Sequence, residues 1–97
     1  MYATSDTIAL GLMQAAYEAG IRMPDELSIV GFDDIDVAAF TIPPLTTVSQ
    51  DGIEMGRIAA ELLFDMVDHG RHRSEVADVV MAPRLVVRRS AVRVRDR

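Results

Sequence analysis

The chain of 97 residues is long enough for one domain, and its 49% hydrophobic content is too high for an intrinsically disordered segment. Its net charge of −5 is unevenly spread, because residues 1–70 carry twelve acidic residues against two arginines, whereas residues 71–97 carry eight arginines against three acidic residues. The length excludes a multidomain enzyme, the absence of cysteine excludes disulfides and thiolate chemistry, and the acidic first seventy residues argue against a nucleic-acid surface there.

The first predicted element is a helix that begins at Ser5-Asp6 and ends at Ala19. Thr4 or Ser5 can cap its free amides, Asp6 suits the positive end of the helix dipole, and Gly20 closes it. Apolar residues recur at helical spacing, which predicts one buried face: Ile8, Ala9, Leu12, Met13, Ala16 and Tyr17.

Two strands are predicted next. Residues 27–32 are apolar on both alternating faces and are followed at once by Asp33-Asp34, which is typical of a central parallel strand. Residues 45–48 form a second, β-type run after the Pro43-Pro44 pair, which fixes extended geometry and supplies no ladder donors.

The remaining elements are a long helix and two short strands. Asp51 and Glu54 resemble a capping box, and Gly70 ends the helix that they begin. Residues 76–81 and 85–87 favour short strands that are separated at Pro83, and the tail from Arg88 is expected to fray. One face of the long helix is predicted to hold Ile53, Gly56, Ala60, Leu63 and Val67.

This order of elements indicates an α/β fold, a parallel sheet with flanking helices. A strand as apolar as residues 27–32 needs sheet neighbours on both edges and helices over both faces, yet the sequence offers two helices and no strand before the first of them. We therefore expect an incomplete domain, either part of a larger one or completed by self-association.

Three spaced motifs stand out in the sequence. They are Ser5-Asp6-Thr7-Ile8-Ala9-Leu10-Gly11, then the run of residues 20–34 that ends in Val30-Gly31-Phe32-Asp33-Asp34, then Pro43-Pro44-Leu45-Thr46-Thr47-Val48 with Gln50. Together they resemble the LacI (lac repressor) family of transcriptional regulators. The segment of residues 83–90 is similar to that family's closing strand. The resemblance implies that residues 1–97 are the C-terminal part of an effector-sensing core, a partial type I periplasmic-binding-protein-like fold.

The resemblance also carries expectations about partners. The parent protein would be a cytoplasmic repressor released by a small sugar-like effector, and it would act as a homodimer or a higher oligomer. Its helix-turn-helix headpiece is not part of residues 1–97, so no DNA-binding domain and no direct DNA contact are expected here. The family chain crosses to its other lobe near Gln50, which would place residues 51 to about 75 in a second lobe.

Candidate effector-binding residues follow from the same motifs. Asp33 comes after the carboxyl end of a central strand, where open α/β sheets bind ligands, and its carboxylate can accept two sugar hydroxyls; the alternative is a plain acidic turn. Asp34 is expected to support the loop. Ser5 stands where the family commonly has an effector-contacting asparagine, with a plain N-cap as the alternative, and Gln50 resembles a cleft-lining residue or an ordinary loop residue.

The loop over residues 35–42 is unusually apolar for a connection, which is typical of an interface. The family's matching loop lies at the dimer contact, so the expected dimer-interface residues are Ile35, Val37, Phe40 and Ile42. Simple core packing is the alternative.

Other chemistry has little support in the sequence. His69 and His72 with Asp65 and Asp68 favour a solvated helix end over a metal site, and the arginines from Arg84 onward favour an exposed charged tail over a phosphate site. We expect no enzyme activity, cofactor or metal, and no membrane span or secretion signal. Two further hypotheses stay open: an oligomerising interaction module without an effector, and a piece of a periplasmic sugar-binding transport protein.

Overall fold

The computed structural model describes residues 1–70 and 80–94, which divide into two compact units. The first unit contains residues 1–49 and 84–94, and the second contains residues 50–70 and 80–83. The first unit holds helix α1 (Asp6–Glu18), a short 3-10 helix (Asp36–Phe40) and strands β1 (Thr47–Ser49) and β2 (Arg84–Val86). The second holds helix α2 (Gly52–His69). The division falls at Gln50, where the family resemblance implied a lobe crossover.

Helix α1 forms where its local signals predict it. The Ser5 side chain accepts a hydrogen bond from the Ile8 amide at 3.2 Å, which caps the first turn. Gly20 follows with a φ of 72°, a left-handed conformation that costs glycine little. The buried face consists of Asp6, Ala9, Met13 and Ala16. The predicted apolar stripe is therefore confirmed at Ala9, Met13 and Ala16 and wrong at its edges, because Ile8 and Tyr17 are exposed.

The segment over residues 27–32 is central and parallel, but it forms bridges rather than a regular strand. On one edge the Ala3 amide donates to the Val30 carbonyl at 2.8 Å, and on the other the Gly31 amide donates to the Thr46 carbonyl at 2.9 Å. The expectation that no strand-like segment precedes α1 is wrong, because Tyr2 forms a parallel bridge with Val30. That edge is too short to show a hydrophobic pattern in the sequence.

Strands β1 and β2 pair antiparallel, with Thr47 opposite Val86 and Ser49 opposite Arg84. Both lie within a residue or two of their predicted positions. Of the strand predicted over residues 76–81, Val80 and Met81 are described and are not in a strand, and residues 76–79 lie outside the described residues. The prediction of a frayed tail from Arg88 is wrong for Ser90, which is buried because its hydroxyl donates to the Ile29 carbonyl and accepts from the Thr46 amide.

The core of the first unit lies between α1 and the central segment. Ile29 and Leu45 are fully buried, and each such side chain contributes about 1.5–3 kcal/mol to folding. Val30 and Phe32, which alternate with Ile29, remain only half-buried. Coverage of the central segment is therefore incomplete on one face, as expected for part of a larger α/β domain.

Helix α2 has the predicted ends but no buried residue among its eighteen positions. Asp51 accepts a hydrogen bond from the Glu54 amide at 3.0 Å, and Gly70 ends the helix with a φ of 62°. The predicted apolar face is present and exposed; Ile53 keeps 89% of its accessible surface. Neither α1 nor α2, the two α-helices among the described residues, combines the length and apolar character of a membrane-spanning helix.

Candidate functional site

The first unit presents an exposed carboxylate at the carboxyl end of its central segment. Asp33 follows Phe32 directly, and its amide donates to the Val48 carbonyl at 2.9 Å, so its backbone is fixed while its side chain is exposed. Ligands of open α/β sheets bind beyond the carboxyl ends of the strands. Asp33 therefore lies where such a ligand is expected, with oxygens available to accept hydroxyl donors.

The backbone at this position is strained. Asp33 has a φ of 122° and Asp34 a φ of 58°, both in the region that side chains other than glycine rarely adopt. Strain of this kind costs about 1–3 kcal/mol per residue and persists when the surrounding contacts over-determine the conformation. Two such contacts lie on the carboxyl side of Asp33: an ion pair at Asp34 and a buried acceptor for the Ile35 amide.

Asp6 supplies that buried acceptor. It is completely buried, its Oδ2 accepts from the Ile35 amide at 2.9 Å, and its Oδ1 accepts from the Thr47 hydroxyl at 2.6 Å. The sequence indicated a dipole and capping role for Asp6, whereas the structure shows a carboxylate that joins α1, the Asp33 loop and β1. Gly31 is the residue in the sequence that could have indicated a buried Asp6, because a Cβ at position 31 would collide with the Asp6 carboxylate.

Arg88 makes the ion pair at Asp34. Its Nη2 donates to Asp34 Oδ1 at 2.8 Å and its Nη1 donates to the Leu45 carbonyl at 3.0 Å. The two side chains are 19% and 21% exposed, so the pair is largely withdrawn from water. The interpretation of Arg88 as part of an exposed tail is wrong, since contacts between residues 54 positions apart leave no mark in the local pattern.

The other predicted effector residues have different surroundings. Ser5 is half-buried in the first unit, where its hydroxyl oxygen acts as the N-cap of α1. Gln50 is exposed and belongs to the second unit. It lines a cavity of about 230 Å³ that is otherwise largely apolar, with Met55, Ile58 and Leu62 of α2 on its wall.

The loop predicted as an interface divides into an inner and an outer part. Ile35 packs against the core, and Ala38 is buried, its carbonyl accepting from the Leu45 amide at 2.8 Å. Val37, Phe40 and Ile42 point outward; Phe40 is 80% and Ile42 is 91% exposed. We call these three residues the loop face. Ile42 also borders a surface groove with Leu10, Tyr17 and Met23.

The helix end that was predicted to be solvated lies partly within the described residues. His69 lies 3.0 Å from an Asp65 carboxylate oxygen at the end of α2, and His72 is outside the described residues. Within residues 1–70 and 80–94, no group of three histidine, aspartate or glutamate side chains is placed to hold a metal ion.

Comparison with known proteins gives a consistent set of matches. A family model described as a periplasmic binding protein-like domain matches residues 1–91. The HTH-type transcriptional repressor PurR of Photobacterium profundum is 37% identical over 90 residues, which are 93% of this chain and 26% of that protein. The Ribose operon repressor of Haemophilus influenzae is 38% identical over 90 residues, again 93% of this chain and 26% of the relative.

Solved structures agree with the sequence relatives. A LacI family transcriptional regulator from Enterococcus faecium with bound ribose superimposes with a TM-score of 0.88 at 32% identity, covering 97% of this chain and 34% of that one. The lac repressor dimer bound to operator and an anti-inducer gives a TM-score of 0.84 at 30% identity, with 96% and 32% covered. The CelR–cellobiose complex gives a TM-score of 0.79 at 34% identity, with 92% and 27% covered. The chain thus spans about a quarter to a third of the length of the proteins it matches.

Proposed function

Because this chain belongs to the periplasmic binding protein-like domain family, in the form found in LacI-family transcriptional regulators, we propose that it forms the C-terminal part of a regulator's effector-sensing core. The effector is a small sugar-like molecule, and Asp33 is its principal contact in this chain. The role is one of binding, and the complete regulator represses transcription in the cytoplasm through a DNA-binding headpiece outside residues 1–97.

One observation supports the assignment of Asp33 above the others. Its carboxylate is exposed at the carboxyl end of the central segment, while hydrogen bonds on both sides fix its backbone. A carboxylate accepts hydrogen bonds from neighbouring sugar hydroxyls, and one carried by a fixed backbone loses less conformational freedom on binding. The neighbours with bound ribose and cellobiose favour the same ligand class.

Ser5 and Gln50 have secondary roles in this proposal. The Ser5 hydroxyl already accepts from the Ile8 amide, which leaves its proton free to donate to an effector oxygen. Gln50 offers an exposed amide that can donate and accept. Binding shifts the regulator between conformations only as far as the effector's affinities for those conformations differ.

Calorimetric titration of the complete gene product that contains residues 1–97 tests this function. We expect heat of binding with at least one member of a sugar panel that includes ribose and cellobiose. Asp33→Asn should weaken that binding by roughly 10- to 100-fold, because a hydrogen bond to a charged group is replaced. Asp36→Asn, which removes the same charge at an exposed position of the 3-10 helix, is the matched control. Absence of heat with every sugar, or equal weakening by both variants, would refute the proposal.

We also propose that the loop face contributes to a homodimer contact, since three outward apolar side chains in one short loop are typical of an interface and a structural neighbour is a dimeric repressor. Phe40→Ser should shift sedimentation of the complete gene product toward the monomer. Val94→Ser removes a similarly exposed apolar side chain outside the loop and should leave the sedimentation unchanged. A dimer that persists in Phe40→Ser at micromolar concentration would contradict this interface.

A further inference from the structure

Arg88 occupies an unusual position for an arginine in a short, charge-rich segment. Its side chain is only 19% exposed, and its guanidinium donates to two acceptors at once, Asp34 Oδ1 at 2.8 Å and the Leu45 carbonyl at 3.0 Å. Its backbone amide also donates to the Thr46 hydroxyl at 2.9 Å. The side chain therefore has one fixed placement.

The residue that Arg88 holds is part of the strained pair. Asp34 and Asp33 both have positive φ, so the loop needs contacts that make this conformation more stable than a relaxed one. Three contacts do so: the Asp33 amide to Val48, the Asp34 carboxylate to Arg88, and the Ile35 amide to Asp6. The Arg88 contact fixes the side chain of Asp34, which is the residue next to Asp33. Arg88 itself belongs to the segment after β2.

We propose that Arg88 is a positioning residue for the effector site: by holding Asp34, it keeps the backbone at Asp33 in the conformation that presents the Asp33 carboxylate to a ligand. This inference rests on the proposed function of Asp33. Arginine suits the task better than lysine, because its two terminal nitrogens bind separate acceptors in a fixed plane, whereas an ammonium can satisfy one of them at this spacing.

The first experiment measures effector affinity and loop exchange in the same variants of the complete gene product. Arg88→Met should weaken sugar binding roughly 10-fold and speed hydrogen exchange of the Asp33 and Ile35 amides, because the loop loses one of its three anchors. Arg89→Met, which removes the adjacent exposed arginine, should change neither quantity. Unchanged exchange and affinity in Arg88→Met would overturn the proposal.

A double-mutant cycle separates positioning from general stabilisation. If Arg88 acts through Asp34, the variant Arg88→Met/Asp34→Asn should bind the effector no more weakly than Arg88→Met alone. Additive losses in affinity would overturn the proposal, since they would mean that Arg88 acts by another route, such as its bond to Leu45.

Two further outcomes are that the unmodified protein binds no sugar and that Arg88→Met does not fold. If the unmodified protein binds no sugar, the proposed function fails, while the exchange measurement still decides whether Arg88 anchors the loop. If Arg88→Met does not fold, Arg88→Lys takes its place: a folded lysine variant that binds about 3-fold more weakly supports the proposal, and one that binds with unchanged affinity overturns it.

Discussion

The two units of this chain differ in where their stability comes from. The first unit joins α1, the central segment, β1 and the segment after β2 through a shared core and through buried polar groups such as Asp6 and Ser90. In the second unit, whose described residues are 50–70 and 80–83, no side chain is buried. Helix α2 relies on its caps and on exposed pairs between neighbouring turns, for example Arg57 with Glu54 and Glu61.

This difference shows that the same kind of amphipathic pattern can belong to a helix with a buried apolar face or to a helix whose apolar face is exposed. In α1 the apolar stripe packs against the central segment, so its burial is part of folding. In α2 an equally clear stripe stays exposed, so this helix lacks the packing of an apolar face from which most helix stability in proteins comes. The large exposed side chains of this stripe include Ile53, Leu63, Phe64 and Val67.

The largest expected effect comes from truncating a matched pair of apolar residues, one in each unit. Ile29→Ala should lower the free energy of unfolding by about 3 kcal/mol, because it leaves a cavity beside Leu45 and α1. Leu63→Ala should change it by less than about 0.5 kcal/mol, since Leu63 is exposed. Urea unfolding followed by circular dichroism measures both. A Leu63→Ala cost equal to that of Ile29→Ala would mean that α2 is covered in solution and that the contrast is wrong.

Replacing the buried carboxylate of Asp6 should have a smaller effect on the free energy of unfolding. Asp6→Asn should lower the free energy of unfolding by about 1–3 kcal/mol, because the new amide turns an NH₂ group toward the Thr47 hydroxyl or the Ile35 amide, both of which donate. Asp25→Asn, at an exposed position, is the control and should be nearly neutral. Thermal melts of the two variants compare them directly; equal melting temperatures would show that the Asp6 network contributes nothing measurable.

The smallest effect concerns pH and the second unit. The hydrogen bond from Arg57 lowers the pKa of Glu54 below its ordinary value of 4.5. A carboxylate with a lowered folded-state pKa stabilises the fold above its unfolded pKa, and this contribution disappears as the pH falls through the folded-state value. Helicity at 222 nm should therefore decline slightly below about pH 4.5, and Arg57→Gln should reduce that pH-dependent part.

Salt provides the control for this pair. Because Glu54 and Arg57 are exposed, 1 M NaCl should shrink the difference between the unmodified chain and Arg57→Gln. A difference in helicity that persists unchanged at high salt would assign the pH dependence to other groups.

The helices could be predicted from the sequence because their signals are local. Ser5 and Gly20 bound α1, Asp51 and Gly70 bound α2, and each signal lies within three residues of the turn that it controls. Asp33 could also be placed at the end of a central segment, because an apolar run followed at once by acidic residues is a local pattern.

The contacts that shape the site could not be predicted in this way. The Thr47 hydroxyl donates to Asp6, which is 41 positions away in the sequence, and Arg88 donates to Asp34, which is 54 positions away. An aspartate in the first turn of a helix and an arginine near a run of arginines each have a common exposed role, and burial of either depends on the assembled sheet. The exposure of Phe40 and Ile42 could be predicted from the sequence, since an apolar residue in a short loop has few neighbours to cover it.

The discontinuity of the first unit has a consequence for biosynthesis. Ser90 binds Ile29 of the central segment and Thr46 just before β1, yet β2 begins 35 residues after β1 ends. During translation Arg88 and Ser90 become available only after α2 has been synthesised. A premature stop codon ahead of residue 88 would therefore remove the bond to Ile29 and the arginine at Asp34 together, and would deliver a product that cellular proteases can attack at its unfinished centre.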